Sequence, residues 1–562
     1  MTVISGFHPA LPLLLGALLL PLPGKQLRAI LVCGLPLLAL ALVWLVPDGA
    51  SLHVQYLGYE LTPVNSDRLA RLFGTIFAIM AFGGGLFALN RMRSTEAVAA
   101  MLGSGSAIGI VFAGDLLTLV VFWELLALAS ALLVWTSKSD PAGGAGMRYL
   151  IVHLFGGTLL ITGVIGHVAG TGSVEFNALA LDSPAHWLIL AGFLLNAGAP
   201  PLSAWLPDAY PESSPFGMVF LSAFTTKAAV YVLLRGFAGA EILVFIGLYM
   251  VFYGIIYALL ENDMRRILAY SIVNQVGFMI CGIGIGTEMS LNGAAAHAFT
   301  HIIYKALLLM SAGSVLYMTG KRKCTDLGGL FRTMPLTMTC GIIGALSISS
   351  FPLTSGFISK SMISQAASDE HLMIVWYLLA AASAGVFLHA GIKFPWFVFF
   401  QKDSGLRPPD PPVTMRMAMI LFAALCILIG IWPGPLYTLL PYPVEYIPYT
   451  GSHVVDMLQL LLFSGLAFFI MLPYMKRTLS ITLDWDWFYR RLGPCLNRTL
   501  LQTTGPWRVR VRNSLLRPVK ATIDTIMVYH GPHGILARTW ATGSMVLWVV
   551  ILLGIYLVAY YY

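Results

Sequence analysis

Charge is what this chain of 562 residues has least of. Only 10% of its side chains are Asp, Glu, Lys or Arg, while 58% are hydrophobic. Soluble domains carry about a quarter charged residues, so a water-soluble globular fold is excluded. Cysteine is sparse too. Cys33, Cys281, Cys324, Cys340, Cys426 and Cys495 stand singly, without the paired spacing that holds zinc or an iron–sulfur cluster, so neither a cofactor nor a metal centre is expected. Alternation of polar and apolar residues is also missing. The apolar runs are continuous and about 20 residues long, enough to cross a hydrocarbon core of roughly 30 Å as helix and unlike the pattern of a barrel. The chain starts almost directly on PALPLLLGALLLPLP, with no basic leader or small-residue cleavage site, and reads as opening on a retained span.

The expected fold is all-α and polytopic. Sixteen spans are predicted, at about 9–22, 27–46, 70–90, 97–113, 116–136, 147–169, 185–206, 213–237, 242–261, 265–286, 291–318, 335–366, 371–400, 412–439, 454–475 and 540–562. Cytoplasmic loops carry the excess of Lys and Arg. Up to residue 475, one alternate set of loops holds fifteen of them, from Lys25 and Arg28 to Arg407 and Arg416, and the other set only Arg68, Arg71 and Arg235. The N-terminus is therefore expected outside the cytoplasm. The stretch 476–539 has eleven Lys or Arg among aromatics such as Trp485, Trp487, Phe488 and Tyr489. It suits an interfacial helix on anionic lipid or a neighbouring subunit, or a solvated tether for the last span.

Four basic residues remain inside spans, and all are lysines: Lys227, Lys305, Lys360 and Lys393. Among acidic residues only Glu124 lies well inside a span, with Asp115 at its mouth. A charge at mid-membrane costs at least about 2.5–3.5 kcal/mol, so each needs a reason. A buried lysine can trade its proton, whereas arginine keeps its own. His297, His301 and Lys305 are spaced four apart and line one helix face; His389 and Lys393 repeat that spacing. Such a stack can pass protons through intervening water, while a metal held by the two histidines lacks a nearby Cys or acid. His153 and His167 read as packed core histidines.

Prolines break two spans, at LLNAGAPPLSAWLP around Pro201 and at SISSFPLTSGFISK around Pro352. One break alone is a kink. Two in corresponding places divide the chain into 1–94, a five-helix unit at 95–237, a second at 238–400, two more spans in 401–475, the basic segment 476–539 and a last span at 540–562. Five is odd, so the units are inverted, with the seventh and twelfth spans broken, a plan that puts ion sites near the midplane.

The runs FWELLALAS, PLSAWLPDAYPESSP, FTTKAAVYVLLR, NDMRRILAYSIVNQVGF, HAFTHIIYKALL and FPLTSGFISKSMI resemble the antiporter-like subunits shared by respiratory complex I and Mrp-type sodium/proton antiporters, the D-type subunit of the latter above all, over roughly 70–440. The resemblance implies a proton axis of Glu124, Lys227, the His297, His301 and Lys305 array, and Lys360; Lys393 rests on the repeat alone. It implies partner subunits of similar build, the lipid of a bacterial inner membrane, protons and Na⁺ or K⁺ as cargo, no nucleic acid, no covalent chemistry and no cofactor. The chain departs from the family's KxxxxPLHxWLPDA pattern, having Asn196 for the lysine and Ser203 for the histidine. Glu124 thereby loses its usual partner, so the first half-path works differently or takes its cation from a neighbouring subunit. Three other roles stay open: a membrane-arm subunit of a redox complex, an energising partner in inorganic-carbon uptake, and an anchor with vestigial charges.

Overall fold

The computed structural model describes residues 7–22, 24–137, 139–474, 484, 487–531, 534 and 541–562. These form two compact units, Met1–Asp486 and Trp487–Tyr562. Thirteen described helices are long and apolar enough to cross a membrane. The other three expected spans are shorter or broken helices. The first is only α1 (Leu11–Leu19), nine residues. The seventh is α7 (Pro184–Ala197) followed after a break by α8 (Trp205–Ala209). The twelfth is α14 (Pro335–Ile348) followed by α15 (Ser355–Asp369).

After α2 (Lys25–Leu45) comes a feature the all-α expectation omits, a hairpin of β1 (Ser51–Tyr56) and β2 (Tyr59–Asn65). Its turn places Leu57 and Gly58 at φ 49° and 85°, the paired left-handed geometry that matches strand twist. The chain continues through α3 (Arg68–Phe87) and α4 (Ser94–Phe112) to α5 (Leu116–Trp135). Asp115 caps α5 by accepting from the Thr118 amide at 2.7 Å, and its other oxygen takes the Thr62 amide of β2 at 2.8 Å. The residue at the mouth of the span is thus a structural tie.

Two units of similar rhythm follow. In the first, α4, α5 and the 32-residue α6 (Asp140–Thr171) precede the broken seventh span, then α9 (Gly217–Leu221) and α10 (Thr225–Gly236). In the second, α11 (Ile242–Leu260), α12 (Met264–Ile285) and the 32-residue α13 (Glu288–Thr319) precede the broken twelfth span and α16 (Met373–Val386), which widens into π-type turns through Phe387–Lys393 and Trp396–Phe400. Both third helices have 32 residues and both broken spans begin with a 14-residue half. Small residues let backbones approach within lipid. Gly247 and Gly254 of α11 lie directly on the backbone of α12 around Gly277 and Asn274, where a β-carbon would not fit. The first compact unit closes with α17 (Val413–Ile431), the four-residue α18 (Gly434–Tyr437) and α19 (Gly451–Met471).

The second compact unit holds the 38-residue α20 (Gly493–His530) and the apolar α21 (Thr542–Tyr561). Trp485 and most of 475–486 lie outside the described residues, as does Lys138.

Candidate functional site

Lys227 and Lys360 each lie just after a break in their spans. The eighth span, expected to be continuous, is interrupted over residues 222–224 between α9 and α10. An interrupted helix frees carbonyls that need donors. Lys227, fully buried, answers one: its Nζ donates to the Ser222 carbonyl at 2.8 Å and to Thr226 Oγ1 at 3.2 Å. On one side of it, Thr225 Oγ1 lies 3.3 Å from both Ser130 Oγ of α5 and the Tyr149 hydroxyl of α6, reaching toward the helix that carries Glu124.

On the other side stands α13. The charge of Lys305 reaches Lys227, and both lysines reach His301. Lys305 Nζ donates to Ser271 Oγ at 2.9 Å and to the Leu268 carbonyl at 3.3 Å. The His297 and His301 rings are 6.2 Å apart. His297 donates through Nε2 to Gln275 Oε1 at 3.0 Å, which also accepts from the Tyr304 hydroxyl at 3.2 Å. Its Nδ1 is 3.2 Å from Ser359 Oγ, which is 2.8 Å from Thr300 Oγ1. Lys360, next to Ser359, places its ammonium 4.2 Å over the Phe278 ring, an apolar cradle for a cation; the Phe278 and His297 rings are 6.4 Å apart. The array therefore joins Lys227, His301, Lys305, His297 and Lys360 across three elements, α10, α13 and α15.

Glu124 and Lys393 are set differently. Glu124 is half-buried and packs directly on Gly157 of α6, where a β-carbon would overlap its Oε1. Lys393 donates to the carbonyls of Ala258, Leu259 and Glu261 at 3.1, 2.6 and 2.6 Å. All three of its donors close the C-terminal end of α11, the place a helix dipole favours a cation. His389 donates Nδ1 to the Gly385 carbonyl at 2.8 Å. His153 is buried, as expected of a core histidine, whereas His167 pairs with His186 at 2.9 Å on a partly exposed face.

Buried polar atoms normally have partners in protein or ordered water. Among the described residues, those without a protein partner include Glu124 Oε1, Asn196 Oδ1, Ser203 Oγ, His153 Nε2, both nitrogens of His301, Lys360 Nζ and His389 Nε2. Pro201 and Pro352 sit in the two breaks; the second holds Ser350 and Leu353 at φ 59° and 68°.

Two of the quoted motifs serve the frame at one end. Arg265 of NDMRR is buried and donates to the carbonyls of Pro211, Ser213 and Ser214, each at 2.8 Å. Arg322 joins Glu212 at 2.9 Å and Asp263 at 2.8 Å, and Arg148 holds Asp208 at 2.7 and 2.9 Å. Gln275, Ser359 and Tyr304 escaped the sequence reading because single neutral polar residues are common in spans. The signal was present in the adjacent Asn274–Gln275 pair inside an apolar run.

Gly157 is where the position of Glu124 can be changed without touching its charge. In Gly157→Ala the carboxylate, at the end of a flexible side chain, yields to the new methyl at small cost in stability. On the proton axis that the resemblance implies, dye quenching in everted vesicles is expected to fall to the level of Glu124→Ala although no charge is removed. Full activity would show that the position of Glu124 is immaterial.

Residues 113–387 match the family described as NADH:quinone oxidoreductase/Mrp antiporter, transmembrane. A protein of Rhizobium meliloti named as a probable K⁺/H⁺ antiporter A/B subunit is 30% identical over 429 residues, covering 69% of this chain and 42% of that protein. The chain thus spans less than half the length of that relative. In the Mrp complex from Dietzia sp. DQ12-45-1b, a chain is similar with TM-score 0.71 and 21% identity, covering 83% of this chain and 99% of that one. In the membrane-bound sulfane sulfur reductase, an archaeal respiratory membrane complex, another is similar with TM-score 0.72 and 23% identity, covering 99% and 100%. The stretch similar to the NADH:quinone oxidoreductase/Mrp antiporter transmembrane family thus runs from residue 113 to residue 387 and takes in Glu124, Lys227, His297, His301, Lys305 and Lys360.

Proposed function

We propose that the chain is the proton-translocating subunit of a multisubunit monovalent cation/proton antiporter of a bacterial inner membrane, with its N-terminus outside the cytoplasm. Protons move between Glu124, Lys227, the His301, Lys305 and His297 cluster, and Lys360. The observation that carries this reading is the placement of Lys227, Lys305 and His301 within electrostatic reach of one another inside the bundle. A charged group in hydrocarbon is costly, and an inert anchor has no use for several buried in one bundle. Lys227 and Lys305 each donate two hydrogen bonds, and water completes the steps between groups. Lys393, with its donors taken by α11, stands at the edge of the path. α20 supplies a surface for neighbouring subunits or anionic lipid.

The test uses everted vesicles carrying the whole operon, in which Na⁺ or K⁺ is added to a preformed pH gradient. Dissipation is expected in wild type and lost in both Glu124→Ala and Lys227→Ala. A response that survives Lys227→Ala would remove the central group from the path.

A second reading is a proton-pumping membrane-arm subunit of a redox complex. It is favoured by one observation, the end-to-end match to the sulfane sulfur reductase chain. A purified complex that contains iron and whose gradient ignores Na⁺ and K⁺ would select it.

A further inference from the structure

The break in the seventh span gathers, near Glu124 of the proton path, side chains that the path leaves unused. Glu124 rests on Gly157, and among the described residues no cationic side chain lies close enough to act on it. His153 precedes Gly157 by four residues, so both occupy the same face of α6. Its Nδ1 donates to the Tyr149 carbonyl at 2.9 Å, which leaves Nε2 presenting a lone pair, buried and without a partner. The His153 ring stands edge-on to Trp205 at 4.5 Å, and Trp205 Nε1 donates to the Leu195 carbonyl at 3.0 Å. Leu195 packs on Gly156, the neighbour of Gly157. The next residue is Asn196, 1% exposed, with Oδ1 unpartnered; Ser203, two residues before Trp205, is 1% exposed and unpartnered as well.

One turn of α6, the side chain that packs on it and the break after α7 thus carry, on neighbouring positions, a carboxylate, an amide oxygen, an imidazole lone pair and a hydroxyl. Three of the four can only accept. Acceptors buried without donors call for a cation. The single carboxylate balances one positive charge. The set is dominated by oxygen, which suits a hard ion, and among the described residues no group of three or more His, Cys, Asp or Glu forms a transition-metal site. Carbonyls freed at a broken helix are the usual complement to such a set.

We propose that the break between α7 and α8 is a seat for one monovalent alkali cation, held by Glu124, Asn196 and Ser203 with His153 beside it. The proposal rests on the antiporter reading, in which such an ion is the exchanged cargo, and places a cation site in this chain itself. Asn196 is the residue that makes room: a lysine there would supply the positive charge from within.

The test measures binding without transport. Purified full-length chain is titrated with ²²Na⁺ and with ⁸⁶Rb⁺ in a scintillation proximity assay. Saturable binding of one of these ions is expected, at least tenfold weaker in Glu124→Gln and abolished in Asn196→Lys. The second variant removes no charge and brings its own counter-ion to Glu124, so it folds where Glu124→Gln fails. No saturable binding in wild type, or binding unchanged in both variants, overturns the seat. A chain that binds neither ion yet moves protons sinks this proposal and leaves the antiporter reading intact. A chain that binds the ion but moves no protons does the reverse.

Discussion

Lys305→Met is expected to stop proton movement in vesicles, a loss of at least the roughly hundredfold that a positioned proton donor or acceptor contributes. Stability should hardly change. The substitution forfeits hydrogen bonds to Ser271 and the Leu268 carbonyl, about 1–3 kcal/mol in all, but it also removes a fully buried charge whose insertion costs about 2.5–3.5 kcal/mol. The two effects nearly offset. Lys305→Arg is the sharper variant: it keeps the charge but not the exchangeable proton, and it is expected to be as inactive as Lys305→Met. Activity in the arginine variant would mean that the fixed charge, and not proton exchange at this position, is what the path requires. The readout is dye quenching, with thermal stability of the purified protein followed in parallel.

Arg265→Ala is expected to act in the opposite way, through the frame. It leaves the carbonyls of Pro211, Ser213 and Ser214 buried without their common donor. At about 1–3 kcal/mol for each unsatisfied group, the loss exceeds what most single substitutions cause. A lower yield of folded protein and a clearly lowered melting temperature in detergent should result, with Arg265→Lys intermediate because one ammonium cannot span three carbonyls as the fork does. An unchanged melting temperature in Arg265→Ala would show that the loop after α8 is held by Arg322 and Arg148 alone.

The helical fold was legible because lipid leaves so few options. Runs such as ILVFIGLYMVFYGIIYALL announce their helix by length and apolarity, and Pro201 and Pro352 announced their breaks. The hairpin was not legible as a departure from helix: LHVQYLGYELTPV is short, and its turn rests on Leu57 and Gly58 in a conformation no periodicity reveals. The eighth-span break was hidden for another reason. Residues 222–224 read Ser-Ala-Phe, without proline or glycine, and what marks the opening is the Ser222 carbonyl taken by the Lys227 ammonium. At the site, charge in an apolar run identified the lysines, and the spacing of four identified the histidine face. What the sequence concealed was the difference between Lys305, whose ammonium faces the array, and Lys393, whose ammonium is consumed by the end of α11. Both are lysines four residues after a histidine, and only the neighbouring helix tells them apart.

The length of α20 sets a distance. Thirty-eight residues at 1.5 Å each make about 57 Å, and packed helix axes stand about 8–10 Å apart. Laid flat, it is a ruler about six to seven helices wide. Anything it grips at both ends is held at that separation, and deleting seven residues would bring the two grips about one helix diameter closer.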